Sequence, residues 1–348
     1  IDRVAAELPH AIDNPGEPIR FALYERNKRT LKSLFAARPN LEGAPLPKWH
    51  VRTIKARDGL ELVSYLTLPK GSDANGDGVP DKPLPLVLNV HGGPWGRDSF
   101  SYSPSNAWLA NRGYAVLAVN FRGSTGFGKS FVNAGDKEWA GKMHNDLIDA
   151  VDWTIRERIA QKDKVAIYGA SYGGYAALVG LTYTPDKFAC GVSIAGPSSL
   201  QTLLANIPPY WTSMLDTFKR RVGDPNTAEG KKLLKDRSPL FRADKIKRPL
   251  LIAQGSNDPR VKQTDGNQIV RVMARKGLPG TYVLYSDEGH GFARPENRLS
   301  FFAISETFLA QCLGGRAEPI GRDFSGSSVA VPAGKQHIRG LKEALAHP

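Results

Sequence analysis

From about Trp49 onward, short apolar runs alternate along the chain with stretches whose apolar residues recur at helical spacing. The runs Leu84–Val90, Tyr114–Asn120, Val165–Tyr168, Phe188–Ile194, Arg248–Gly255 and Thr281–Tyr285 are nearly continuous in apolar residues. Such runs predict strands buried on both faces, as in a parallel sheet. Between them, Leu147, Val151 and Ile155 recur every four residues and predict an amphipathic helix over residues 143–160. Phe301, Phe302, Ile304, Phe308 and Leu309 predict a last core helix over residues 296–313, stopped by Gly314-Gly315. Val51–Ile54 and Leu60–Leu68 predict an antiparallel edge pair. The alternation predicts an α/β fold, a mostly parallel sheet with helices on both faces.

Three segments depart from this rhythm. Residues 1–45 do not fit the core. Arg20–Arg26 and Arg29–Phe35 flank Asn27-Lys28 and predict a β-hairpin, and Gly43, Pro45 and Pro47 mark a linker. Residues 197–247 interrupt the alternation with a charged, largely helical insertion carrying Tyr210-Trp211. An insertion there can cap a site, and the aromatic pair either lines that site or anchors the insertion. Residues 314–348 mix Gly, Ser, Ala and Pro and predict a surface tail.

The chemistry concentrates where strands end. Gly169-Ala170-Ser171-Tyr172-Gly173 lies between a predicted strand and a predicted helix, Tyr175–Val179. That is the context of a nucleophile elbow, with the flanking glycines expected to permit the strained turn. A serine nucleophile needs a base, and the base needs an orienting carboxylate. Asp258 follows the strand that ends at Gly255, and His290 follows the strand that ends at Tyr285. Asp287 and Glu288 are rival carboxylates, but they share the loop of His290, so Asp258 is preferred. His91-Gly92-Gly93-Pro94-Trp95-Gly96 follows the strand at Leu84–Val90. The N–H of Gly93 and the N–H of Tyr172 are the expected oxyanion donors. Trp95 in that loop is an expected substrate contact.

Composition bounds the reading. The chain has 348 residues, 41% of them hydrophobic, long enough for one large core plus attachments. No run of about 18 apolar residues exists, so no membrane-spanning helix is expected. The chain opens at Ile1 without a leader-like pattern, and the compartment stays open between cytoplasmic and periplasmic or secreted. Cys190 and Cys312 fall in a predicted strand and a predicted helix and read as buried small hydrophobes. The net charge of +13 invites a nucleic-acid reading. The basic residues form no long cluster, however. Lys219–Arg221 and Lys231–Lys235 read as a solvated face or a contact with an acidic partner, so no nucleic acid is expected. Asp73–Gly78 matches the opening of a calcium loop, with Asp81 at the ninth position. Leu84 stands where the bidentate Glu is needed, and a solvated hairpin loop is the reading.

His91–Pro94, Asn120–Gly128, Gly169–Gly174, Asn257–Val261 and Glu288–His290 together resemble the prolyl oligopeptidase family, in particular its acylaminoacyl-peptidase-like branch. The resemblance covers roughly residues 46–313 and follows the family's motif order. It implies an α/β-hydrolase domain that hydrolyses peptide bonds of short or N-acylated peptides without cofactor or metal. It implies that Arg260 matches an arginine binding a carbonyl of the bound peptide. It also implies that residues 1–45 are the end of a β-propeller, so that the remainder of that propeller is a partner of this domain. A carboxylesterase with the same triad is the alternative, and a binding module that has lost catalysis is a further one.

Overall fold

The computed structural model describes residues 7–346. Strands β1 (Glu7–Ile12), β2 (Arg20–Glu25) and β3 (Thr30–Ala36) form a small antiparallel sheet. The hairpin expected from the sequence is β2–β3, with Phe21 paired to Phe35 across it. Leu31, Leu34 and Phe35 of β3 stay exposed.

The main sheet, among the described residues, has nine strands in the order β12-β11-β10-β9-β8-β6-β7-β5-β4. Its members are β4 (Lys48–Lys55), β5 (Glu61–Leu68), β6 (Leu84–Val90), β7 (Ala115–Val119), β8 (Ala160–Ala170), β9 (Cys190–Ile194), β10 (Leu250–Gly255), β11 (Gly280–Tyr285) and β12 (Val329–Ala333). The run from β7 through β11 is parallel, and β4, β5 and β12 are antiparallel additions at the edges. Successive side chains of a strand point to opposite faces. Leu86 and Leu88 therefore join one apolar layer while Val87 joins the other. The first layer takes in α3 (Lys142–Arg156), α4 (Tyr172–Tyr183) and α8 (Gln263–Arg275). The second takes in α1 (Pro104–Asn111) and α9 (Pro295–Leu313). Burial on both faces explains the unbroken apolar runs. A short α2 (Lys129–Asn133) precedes α3.

The helix predicted over residues 143–160 ends at Arg156. Arg158 adopts a left-handed φ of 59°, and the chain turns straight into β8. The insertion between β9 and β10 contains α5 (Leu200–Ala205), α6 (Leu215–Arg221) and α7 (Ala228–Asp236), with a 3-10 turn at Pro209–Met214.

Two expectations are corrected. The tail read as lying on the surface adds β12 to β11, and Phe324, Ile338 and Leu341 are buried under it. Helix α10 (Leu341–Ala346) closes this layer. The cysteines read as separate small hydrophobes form a disulfide, Cys190 on β9 to Cys312 on α9, because the helix packs across that strand with the two Cα atoms 6.3 Å apart. In the Asp73–Gly78 loop, the Asp73 carboxylate accepts from the N–H groups of Gly76 (2.8 Å) and Gly78 (3.0 Å), which folds the loop on its own backbone.

Candidate active site

Ser171 joins β8 to α4 with φ 58° and ψ −118°. That conformation is rare for a residue with a Cβ and costs about 1–3 kcal/mol. The strain sits on the serine itself; neither Gly169 nor Gly173 has a positive φ. The glycines permit close approach instead. A Cβ on Gly173 would lie 2.0 Å from the carbonyl oxygen of Val90, and one on Gly169 would lie 2.6 Å from Gly173. The sequence reading of these glycines as sources of turn freedom is corrected accordingly. The Ser171 N–H donates to Ile194 O at 2.8 Å, which ties the elbow to β9.

Asp258 and His290 meet. His290 Nδ1 lies 2.7 Å from Asp258 Oδ2. The other carboxylate oxygen, Oδ1, accepts from the N–H groups of Arg260 (2.8 Å) and Val261 (3.0 Å). Two donors on one oxygen leave the second to face the imidazole. The two loops are clamped together, with Asn257 N–H donating to Glu288 O at 2.9 Å. A Cβ on Gly255 would lie 2.3 Å from Gly289 O, so β10 and the histidine loop approach closely. The rival carboxylates are engaged elsewhere. Asp287 pairs with Arg294, Ser328 and Asn297. Glu288 is buried and accepts from the N–H groups of Ala293 and Arg294 and from Asn297 Nδ2. It shapes the turn after His290. Ser171, Asp258 and His290 thus follow β8, β10 and β11, at the carboxyl ends of parallel strands of one sheet.

The loop after β6 lies against the elbow. A Cβ on Gly92 would be 3.4 Å from the Ser171 Cβ. Gly93 has φ +124°, and any Cβ there would strike the Trp95 nitrogen at 2.7 Å, so only glycine fits. Among the described residues, the N–H of Gly93 has no backbone acceptor. The N–H of Tyr172 opens α4 and has none within the helix. Both remain available to a ligand.

The structure places the two expected substrate contacts on one aromatic wall. The Arg260 guanidinium sits 5.4 Å from the Trp211 ring. Trp211 packs on Phe218 at 5.7 Å, and Phe218 on Trp95 at 5.4 Å. Arg260 is exposed and makes no ion pair among the described residues, so an ordinary surface salt bridge does not account for it. Trp211 joins the insertion to the acid loop, packing on Phe218 and lying under Arg260. Phe218 was missed; its only signal was an aromatic at helical spacing in a charged segment. Arg122 lies within the motif at residues 120–128. It is buried, bridging Asp146 and Asp58, and fastens the loop at residues 120–128 to α3 and to the β4–β5 turn.

Asp265 in the first turn of α8 is buried, and its Oδ2 has no partner. Burial, with a smaller push from the Asp258 charge, raises its carboxyl to about 7. The unfolded value is about 3.9. The contribution of the neutral acid to stability is therefore full at low pH and is lost as pH rises toward about 7. Stability should fall by roughly 2–3 kcal/mol between pH 5 and pH 8 on this account. Asp265→Asn should flatten that slope in thermal or urea unfolding. An unchanged slope would remove Asp265 as its source.

This is an α/β-hydrolase: a parallel sheet with a serine elbow, a paired aspartate and histidine, and free N–H groups beside the serine. Residues 100–316 match the family model of the prolyl oligopeptidase family, and the chain belongs to that family. It is 63% identical over 94% of its length to dipeptidyl aminopeptidase BIII of Pseudoxanthomonas mexicana, of which it covers 48%. It is 27% identical over 66% of its length to an acylamino-acid-releasing enzyme of Arabidopsis thaliana, of which it covers 30%. A solved structure of a Mycobacterium tuberculosis puromycin-hydrolyzing peptidase superposes with a TM-score of 0.79 at 26% identity, covering 91% of this chain and 48% of that one. The chain spans less than half the length of the curated relatives it matches here.

Proposed function

We propose that this chain is the catalytic part of a serine peptidase that hydrolyses short or N-acylated peptides through an acyl-enzyme. The observation that carries the reading is the 2.7 Å contact between His290 and Asp258, on the same sheet edge as the strained Ser171. Ser171 Oγ attacks the scissile carbonyl carbon while His290 Nε2 takes its proton. Asp258 holds the Nδ1–H tautomer and stabilises the imidazolium. The oxyanion accepts from the N–H groups of Gly93 and Tyr172. His290 returns the proton to the leaving amine, and water then hydrolyses the acyl-enzyme by the same route. The remainder of a β-propeller is the proposed partner. The small sheet β1–β3, with its exposed Leu31, Leu34 and Phe35, supports this, as does the share of the relatives that the chain covers.

The high identity to a protein named a dipeptidyl aminopeptidase favours release of dipeptides from a free amino end. The test compares dipeptidyl anilides with a free amine, acetyl-amino-acid anilides and an acetate ester, using the full-length protein. Turnover of either anilide class above the ester supports a peptidase, and the preferred anilide says which kind. Turnover of the ester alone makes the protein a carboxylesterase.

Arg260 separates those outcomes at the level of one residue. A guanidinium beside the acid loop can donate to a peptide carbonyl on the acyl side, which an acetate ester lacks. Arg260→Ala should lower kcat/KM for peptides by about 1.5–3 kcal/mol and leave the ester nearly unchanged. Equal losses on both would mean that Arg260 only supports the loop of Asp258.

A further inference from the structure

Arg97, in the loop after β6, is exposed and makes no ion pair among the described residues. Its guanidinium is held in place all the same. The central carbon lies 4.7 Å from the centre of the Phe127 ring, and Nε donates to Asp98 O at 3.2 Å. Gly126 makes room for it: φ there is +90°, and a Cβ would strike the guanidinium. Phe127 is braced in turn by Phe131 at 5.3 Å. A guanidinium laid on a ring face keeps its in-plane N–H edge free, and that edge matches a carboxylate with two parallel hydrogen bonds. The neighbouring Asp98 does not take this edge. Its Oδ2 is buried without a hydrogen-bond partner, and burial pushes the carboxyl up to about 7.

The loop and the sheet set where Arg97 stands relative to Ser171. Gly96 folds back on Gly92: its N–H donates to Pro94 O at 2.8 Å, and a Cβ on it would lie 3.2 Å from Gly92 O. A Cβ on Gly92 would in turn touch the Ser171 Cβ at 3.4 Å. Arg97 therefore follows directly on the part of the loop that lies against the elbow. There the loop divides. Trp95 turns to Phe218 of the insertion. Arg97 turns to the loop after β7, where Thr125 N–H donates to Gly96 O at 2.8 Å. In the sheet order β10-β9-β8-β6-β7, Arg260 follows β10, Ser171 follows β8, and Arg97 and Phe127 follow β6 and β7. The unpaired Arg260 and Arg97 thus flank the nucleophile from opposite sides along the sheet edge. A peptide with its acyl side toward Arg260 passes over Ser171 and carries its leaving part toward Arg97.

We propose that Arg97 binds the terminal carboxylate of the leaving part, which makes short peptides with a free carboxyl end the preferred substrates. This rests on the peptidase reading above, with the acyl side of the peptide toward Arg260. An extended chain advances about 3.3–3.6 Å per residue. One or two residues beyond the cleaved bond therefore bridge the step from the scissile nitrogen to a long side chain on the adjoining loop. A longer leaving part carries its carboxylate past Arg97, and a carboxyl amide brings no charge to it. The contact lies away from the reacting atoms and is made equally before and during the chemical step. Its loss is accordingly felt in KM rather than in kcat.

The test uses the full-length protein and alanine tripeptides and tetrapeptides, with free or acetylated amino ends, each as the free acid and as the carboxyl amide. Products are read by mass spectrometry, so that the cleaved bond is known. The quantity compared is the acid-to-amide ratio of kcat/KM, in which any general loss of activity cancels. The unaltered protein should give a ratio of about 5–10, the low end for a hydrogen-bonded charge because Arg97 is exposed. The ratio should fall near one in Arg97→Gln and lie between in Arg97→Lys, which keeps the charge but not the planar fork. The change should appear in KM. Salt at about 1 M should shrink the ratio of the unaltered protein and leave that of Arg97→Gln as it is. A ratio near one in the unaltered protein, or a high ratio that survives Arg97→Gln, would overturn the proposal. So would equal losses on acid and amide in Arg97→Gln, which would leave Arg97 as a prop for the loop after β7. Hydrolysis of an acetate ester with no cleavage of any peptide or anilide would instead remove the peptidase reading, and this proposal with it.

Discussion

Replacing Ser171 by alanine is expected to abolish hydrolysis, with kcat falling by about 10⁴-fold or more, and to abolish labelling by a fluorophosphonate. The hydroxyl is the group at the elbow that would form the acyl-enzyme. The backbone conformation adds a second expectation. Alanine keeps the Cβ and therefore keeps the strain at φ 58°. Glycine removes it. Ser171→Gly should be as inactive as Ser171→Ala yet more stable by about 1 kcal/mol, measured by urea unfolding. Labelling that persists on another serine would move the nucleophile away from Ser171. Equal stability of the two variants would mean that the elbow stores no strain.

The nucleophile elbow and the two later strand ends were legible because the pattern is local. A strand signal, a turn and a reactive residue fall within about ten positions, and the parallel sheet sets all such turns on one edge. What escaped the sequence was non-local. The order β8-β6-β7 cannot be read from apolar runs, since periodicity reports that a strand is buried and is silent on its neighbours. The disulfide joins residues 122 positions apart. The tail hides β12 because its residues are small and its buried anchors, Phe324, Ile338 and Leu341, are too widely spaced to show a period. The contact of Arg260 with Trp211 brings a loop after β10 onto an insertion before it. The elbow glycines were recognised with the wrong cause. Sequence shows that a side chain is missing, and only the structure shows that the Val90 carbonyl occupies the space.

The acid gives the second large effect. Asp258→Asn should lower kcat by about 10⁴-fold near neutral pH, through the histidine tautomer rather than through loss of fold. The reason lies in the two N–H groups, of Arg260 and Val261, that donate to Asp258 Oδ1. An asparagine must keep its carbonyl oxygen on those donors. Its NH₂ then faces His290 Nδ1, in the place now held by Oδ2. A donor there forces the proton of the neutral imidazole onto Nε2, which can no longer accept from Ser171. Gln254 Nε2, 3.4 Å from Oδ2, adds a second donor where an acceptor is needed. Asp287 provides the contrast. It is bonded to Ser328, Arg294 and Asn297, which hold its carboxyl down at about 2. None of these groups touches His290. Asp287→Asn should leave kcat within about threefold, as expected of a partly exposed residue away from the reacting atoms. Steady-state rates and fluorophosphonate labelling rates should fall together in Asp258→Asn and in neither assay for Asp287→Asn. The reverse ranking would place the orienting carboxylate in the histidine's own loop.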